Sequence, residues 1–249
     1  MIHLKSKEEI KIMREANRII AKTREVILPM VKPGVSTWEL DQAAEETIRS
    51  LGAIPGFKGL YGFPATLCVA INDEVVHGIP DKKRVLSEGD IIGIDMGTVY
   101  KGFYGDSAVT VGVGKISNEA QKLLQVTREC LEKGIEQARP GGHLYDIGAA
   151  VSEHANRHGF SVVRDYVGHG IGRALHEEPQ VPNYGEKGTG IVLQEGMVLA
   201  IEPMINQGVA DVKTLNDGWT VSTKDGMLSA HFEHSIAIRH DGPEVLSIL

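Results

Sequence analysis

Two aspartates interrupt an apolar, glycine-dotted stretch, GIDMGTVYKGFYGDSAV, running from Gly93 to Val109. Its flanks read as two strands, Ile91 to Val99 and Phe103 to Val111, joined as a hairpin near Tyr100-Lys101-Gly102. A two-residue loop at Tyr100-Lys101 would pair Asp95 directly with Asp106. A loop at Lys101-Gly102 would make Asp106 the diagonal neighbour of Asp95's partner, on the same face. A three-residue loop would place the two on opposite faces, unless a bulge near Gly105 corrected it. Like charges brought together on one face are destabilising, and one carboxyl of such a pair has its pKa raised strongly. Something must compensate them. Taken alone, Asp95 fits a solvent-facing strand end equally well.

The second half of the chain adds weight to the pairing. LAIEPM puts Glu202 at the end of an apolar strand, and AHFEHSIAI puts Glu233 inside another. YVGHGIGRALHEEPQV adds His169 between glycines, with His176 further on. Acids in apolar strands need cations, because buried charge without a partner is very costly. Two divalent ions would balance the four carboxylates Asp95, Asp106, Glu202 and Glu233. Carboxylates with one imidazole suit first-row divalent metals in a two-metal site. Other motifs fail: His176-Glu177-Glu178-Pro179-Gln180 has glutamine where a zinc-protease helix needs histidine, and no phosphate-cradling loop or Ser-His-Asp triad is signalled. His154 and His158 share a helix face but lack the glutamate that a zinc-protease helix carries just after its first histidine, and read as surface residues, while His231 and His234 form no recognised ligand pair.

The elements that must position these groups follow from caps and periodicity. Ser6 to Glu9 and Ser36 to Glu39 have capping-box spacing, each opening a helix. The first is expected to break at Pro33-Gly34, and the second to run to about Leu51 before Gly52. Further helices are expected over Glu119 to Ala138 and Leu144 to Arg157. Strands are expected at Thr66 to Ile71, Val162 to Val167, Met197 to Ile201 and Phe232 to Ile238. A shift of 107 positions lays Pro33-Gly34 on Pro140-Gly141, Gly52 on Gly159, and EGDIIGID, ending in Asp95, on EGMVLAIE, ending in Glu202. The expected organisation is one domain over residues 1–249 with an internal pseudo-repeat, roughly 5–111 and 117–240.

The chain has 249 residues, 42% of them apolar, which is enough for a globular core. Its net charge of −7 carries no basic block, which argues against nucleic acid as the partner. No apolar run has membrane-spanning length, and the first residues are too charged for a secretory signal, so a cytoplasmic location is expected. Cys68 and Cys130 read as free thiols.

Asp95, Asp106, His169, Glu202 and Glu233, in this order and with these flanks, resemble the ligand set of the metallopeptidases with the pita-bread fold. NDEVVHGIP, DMGTVYKGFYGDSA, GHGIGRALHEEPQVPNYG, EGMVLAIEPM and DGWTVSTKDGMLSAHFEHSI are similar to type I methionine aminopeptidases, in the compact bacterial form. The resemblance implies an α+β fold of two pseudo-symmetric halves, with a curved antiparallel sheet covered by helices. It implies two divalent ions (cobalt, manganese, iron or zinc). Asp95 would bind one, His169 and Glu202 the other, and Asp106 and Glu233 would bridge them. Water or hydroxide between the ions would be the nucleophile, and the metal held by Asp95 would receive the substrate's free amine. Glu202 would shuttle the proton, His176 would serve the oxyanion and His77 the scissile amide. Read without the resemblance, His77 fits a turn and His176 a helix end. Phe57, Leu60, Phe63, Cys68, Leu175 and Trp219 would line the side-chain pocket, although well-known bacterial members carry a cysteine and tyrosines at some of these places. Trp219 fits a plain core position nearly as well. The implied reaction is removal of the initiator methionine from nascent proteins, best when the second residue is small. The expected form is a monomer without membrane or nucleic-acid partners. Ribosome contact suits the activity, but no motif for it is visible.

Overall fold

The computed structural model describes residues 2–249. Two helices open the chain, α1 (Lys7–Ile27) and α2 (Thr37–Ser50). Both start at the expected capping boxes: Ser6 and Ser36 accept from the backbone of Glu9 and Glu39, whose side chains reach back. Helix α1 ends earlier than expected, at Ile27, in a 3₁₀ turn over Leu28–Met30. Pro29, not Pro33, is the breaker, because it lacks the N–H that would continue the ladder.

The strands of the first half are β1 (Ile54–Pro55), β2 (Leu67–Ile71), β3 (Glu74–Val76), β4 (Ile91–Tyr100) and β5 (Phe103–Gly112). The helices α3 (Asn118–Gln137) and α4 (Leu144–Arg157) follow. Then come β6 (Ser161–Val162), β7 (Gly168–Gly170), β8 (Glu177–Val181), β9 (Val198–Ile201), β10 (Met204–Asn206), β11 (Val212–Thr214), β12 (Val221–Thr223), β13 (Ser229–His231), β14 (His234–Arg239) and β15 (Gly242–Val245). Helices and antiparallel sheets thus make the α+β content that was expected.

Two sheets position the site. In one, β4 is flanked by β2 and β5. In the other the order is β15-β14-β9-β7-β8. The β4–β5 turn is the Lys101–Gly102 alternative: both residues have positive φ, 48° and 79°, the combination a two-residue primed turn requires. Asp95 therefore opposes Ala108 and Asp106 opposes Gly97, so the acids are diagonal on one face. Under the shift of 107, α2 (37–50) falls on α4 (144–157), and the isolated bridge Ser36–Val85 falls on His143–Val192.

Two strand expectations and one reading of a histidine are corrected. Val162 to Val167 is not one strand: only Ser161–Val162 pairs, with β10, and the next ladder starts at Gly168 after a polar bend at Arg164-Asp165. Phe232 to Ile238 is also interrupted. The chain leaves β10 after His231, and the Glu233 N–H turns to Ala108 O (2.9 Å) before β14 joins β9. Glu233 therefore lies between strands. His176 precedes β8, so the helix-end reading for it falls away.

Helices α3 and α4 cover the second sheet, burying Leu123, Val126, Ile147 and Val151 against Leu199, Ile201 and Ile236. Helix α2 and the second half of α1 cover the first sheet through Ile20, Leu40 and Ala44, packed with Val69 and Ile94. Among the described residues no helix is long and apolar enough to cross a membrane.

Candidate metal centre and substrate pocket

Asp106 is 4% exposed and Glu233 is 1% exposed, deeper than carboxylates normally lie without a partner. Their segments are stitched together by hydroxyls. Ser107 Oγ donates to Glu233 O (2.8 Å), Thr110 Oγ1 to His231 O (2.8 Å), and Ser235 Oγ to Asp106 O (2.8 Å). These bonds join β5 to the break between β13 and β14, fixing where Glu233 points.

His169 comes from the middle of β7, opposite Ala200 on β9, at a register slip towards β8. The flanking glycines do not make room for a ligand. A Cβ on Gly168 would lie 2.3 Å from Ala200 O, and one on Gly170 2.3 Å from Glu178 O. They let neighbouring backbones close in on the strand that carries the ring. His169 Nδ1 lies 2.9 Å from Gly170 O, so that nitrogen is the donor. The lone pair is left on Nε2, which stands 3.5 Å from Glu202 Oε1 and 3.7 Å from Asp106 Oδ2. Glu202 follows the last residue of β9, and its carbonyl accepts from Asn183 Nδ2 (2.9 Å).

Asp95, Asp106, His169, Glu202 and Glu233 thus converge on one pocket. Asp95 Oδ1, Asp106 Oδ1 and Glu233 Oε1 are buried without hydrogen-bond partners. Burial raises all three pKa values, Asp95 to about 7; Asp106 and Glu233 are raised further by the neighbouring acids. Three orphaned, mutually repelling carboxyl oxygens beside an imidazole lone pair fit divalent cations. A ligand atom from each of Asp106, His169 and Glu233 already lies within 4.8 Å of the other two.

The whole pocket, ≈ 700 Å³ counted out to solvent, has a mainly apolar lining. All six expected wall residues line it: Phe57, Leu60, Phe63, Cys68, Leu175 and Trp219. Trp219 meets Phe63 edge-on at 5.1 Å and is only partly buried, so it is a wall and not a core residue. Cys68 pairs with Asp95 across β2 and β4; burial first, then Asp95, pushes its thiol well up, which disfavours the thiolate.

His77 and His176 flank the mouth. His77 has φ 62°, a left-handed conformation uncommon outside glycine but one that histidine adopts more readily than most residues, and packs edge-on against Tyr166 at 5.5 Å. His176 keeps exposed area, yet its ring lies 4.5 Å from His169 and 6.2 Å from Tyr61. Burial, then His169, lowers the pKa of His176, and burial lowers that of His77. Both rings are held neutral near pH 7.

Sequence reasoning missed His231. It is buried, with Nε2 3.4 Å from Glu202 Oε2 but not aligned for a hydrogen bond. Its two-residue distance from Glu233 was the available signal, since the break at Phe232 turns both towards Glu202. Tyr61, Val76, Tyr166, Val167 and Met204 also line the pocket, without any chemical pattern in sequence that marks them.

Residues 11–240 match the profile of Metallopeptidase family M24, and the chain belongs to that family. It is 52% identical over 249 residues to the methionine aminopeptidase of Clostridium perfringens, covering 100% of both chains. The crystal structure of the Thermotoga maritima methionine aminopeptidase superposes with a TM-score of 0.99 at 45% identity, with 100% of both chains covered. A prolidase from Pyrococcus horikoshii shares the fold at a TM-score of 0.79 and 25% identity, but the match covers 98% of this chain and 63% of that one.

Proposed function

We propose that the protein is a metal-dependent methionine aminopeptidase, releasing methionine from the N-terminus of polypeptides. The observation that carries this reading is the convergence of three partnerless buried carboxyl oxygens and His169 in one largely apolar pocket. Whole-length likeness to methionine aminopeptidases, against partial coverage of a prolidase, supports that branch of the family.

Asp95, Asp106, His169, Glu202 and Glu233 would hold two divalent ions, of manganese, iron, cobalt or zinc. When bound, such ions neutralise the carboxylates and lower the pKa of water so that it serves as nucleophile at neutral pH. The protein's own groups do the rest. Phe57, Leu60, Phe63, Cys68, Leu175 and Trp219 hold the first side chain and exclude water from it. Glu202, less buried than its neighbours, faces the pocket and carries the water's proton to the leaving nitrogen. His176, neutral, donates an N–H to the oxyanion without adding charge, and His77 contacts the scissile amide. The substrates are N-terminal peptides of new proteins in the cytoplasm.

The test is cleavage by metal-free protein before and after adding single divalent ions, with Met-Gly, Met-Leu and Ala-Pro-headed peptides of equal length. Metal-dependent release of methionine, strongest from Met-Gly, is expected. Cleavage of the Ala-Pro peptide alone would move the chain to the prolidase branch, and no cleavage with any ion would reduce the fold to a peptide-binding one.

A further inference from the structure

A second group of side chains among the described residues meets the spacing for a metal ion. Glu129 on α3 and His154 and His158 on α4 each bring one ligand atom within 4.8 Å of the other two. His154 and His158 are one turn apart on one helix face, with ring centroids separated by 4.6 Å. His154 Nε2 lies 2.7 Å from Glu129 Oε2.

Two of the three groups, His158 and Glu129, already have outer partners of the kind that metal ligands have. His158 Nδ1 sits 2.9 Å from the carbonyl of His154 and so donates to it, leaving Nε2 with its lone pair. The second oxygen of Glu129 accepts from Gln125 Nε2 at 2.8 Å. The two helices are held at fixed spacing: a Cβ on Gly134 would lie 3.0 Å from Val151, and Cys130 Sγ lies 3.5 Å from Val151 O. The side chains of His154 and Glu129 are 12% and 32% exposed, so an ion can reach them. Lys122 reaches the same corner, but its ammonium is held 3.2 Å from the His158 carbonyl and 5.3 Å from the centre of the Phe160 ring.

We propose that Glu129, His154 and His158 form a peripheral site for one zinc-class divalent ion, tying α3 to α4. Ligand atoms around a tetrahedral ion with bonds of about 2.1 Å stand about 3.4 Å apart. Small side-chain rotations from the present spacing reach that arrangement, with the His154–Glu129 pair opening to admit the ion. Two imidazoles and one carboxylate leave a position for water, so the ion exchanges. The donor set favours zinc, copper, nickel or cobalt over manganese. The central site, richer in carboxylates, accepts manganese more readily.

The test counts ions per chain on full-length metal-free protein dialysed against Zn(II), for the wild type and for H154Q/H158Q. The double variant is expected to hold about one zinc fewer, while manganese counts stay equal. Zinc should raise the wild-type melting temperature by about 5 °C more than that of the variant, the scale of one occupied site in a domain of this size. Peptide cleavage by the manganese-loaded variant should match wild type, and E129Q should weaken zinc retention in the same direction. Equal zinc counts in wild type and H154Q/H158Q would overturn the site and leave a surface His–Glu pair.

Discussion

The two halves of the molecule deliver their site residues in different ways. Asp95 and Asp106 stand within ten-residue strands paired along their whole length. His169 stands at a register slip, Glu202 just past a strand end and Glu233 in a gap between strands. Under the shift of 107, Asp95 and Glu202 correspond, yet β4 runs on past Asp95 to Tyr100 while β9 stops at Ile201. Pro203 follows Glu202, and the chain resumes in another sheet as β10. A continuous hairpin gives a floor whose acids are fixed by register alone. Slips and breaks let the other donors be aimed across at it, at the cost of ladder bonds. The floor should therefore tolerate no change, and the breaks should offer graded ones.

Asp106→Ala should give the largest effect, loss of both divalent-ion binding and peptide cleavage, read by metal analysis and by methionine release from Met-Gly. Activity surviving in that variant would show that the hairpin is not the floor of the site. His176→Ala should lower turnover by about two to three orders of magnitude, the scale of one lost oxyanion donor, with metal content unchanged. A drop in bound metal would instead place His176 in the ligand shell.

A smaller effect separates the buried acids from solvent-facing ones. In metal-free protein Asp95, Asp106 and Glu233 hold protons above their ordinary values of 3.8, 3.8 and 4.5. Through these three acids the folded state binds more protons than the unfolded chain, from about pH 4 through at least pH 7, so their contribution to stability falls as pH rises, while His77, His176 and His234, with lowered pKa values, act in the opposite sense. Denaturant midpoints in chelator should be higher at about pH 5 than at about pH 8, and divalent ions should narrow or reverse the gap. A higher midpoint at the upper pH without metal would contradict the burial of these charges. Cys68→Ser should have the least effect, with turnover within about threefold of wild type, since a hydroxyl replaces a thiol of similar size. Inactivation with normal metal content would point to a cysteine nucleophile.

Much of the floor was legible because a strand period of two and a short turn leave few registers, and two of the three open alternatives put Asp95 and Asp106 on one face. Both amino-terminal helices were legible through serine caps and their glutamates. The five proposed ligands came from residue type and order, whereas the backbone breaks around them did not. Nothing local in AHFEHSIAI signals a change of partner strand at Phe232; that is set by Pro203 and by the hydroxyls of β5, distant in sequence. His231 was overlooked for the same reason. The pairing of His154 with Glu129 was invisible because it joins two helices, and His154 and His158 prove half-buried, not plain surface residues.

The turn at Lys101–Gly102 is exposed, the kind of place where proteins usually absorb added residues without complaint. Here it should not. One residue inserted there would shift the whole of β5 by one step and turn Asp106 to the other face, four residues and about 14 Å along the strand. Two inserted residues would restore the face while moving the carboxylate along the floor. Length variation at this tip should therefore be governed by odd and even numbers, with even changes the milder, although the tip itself does not line the pocket.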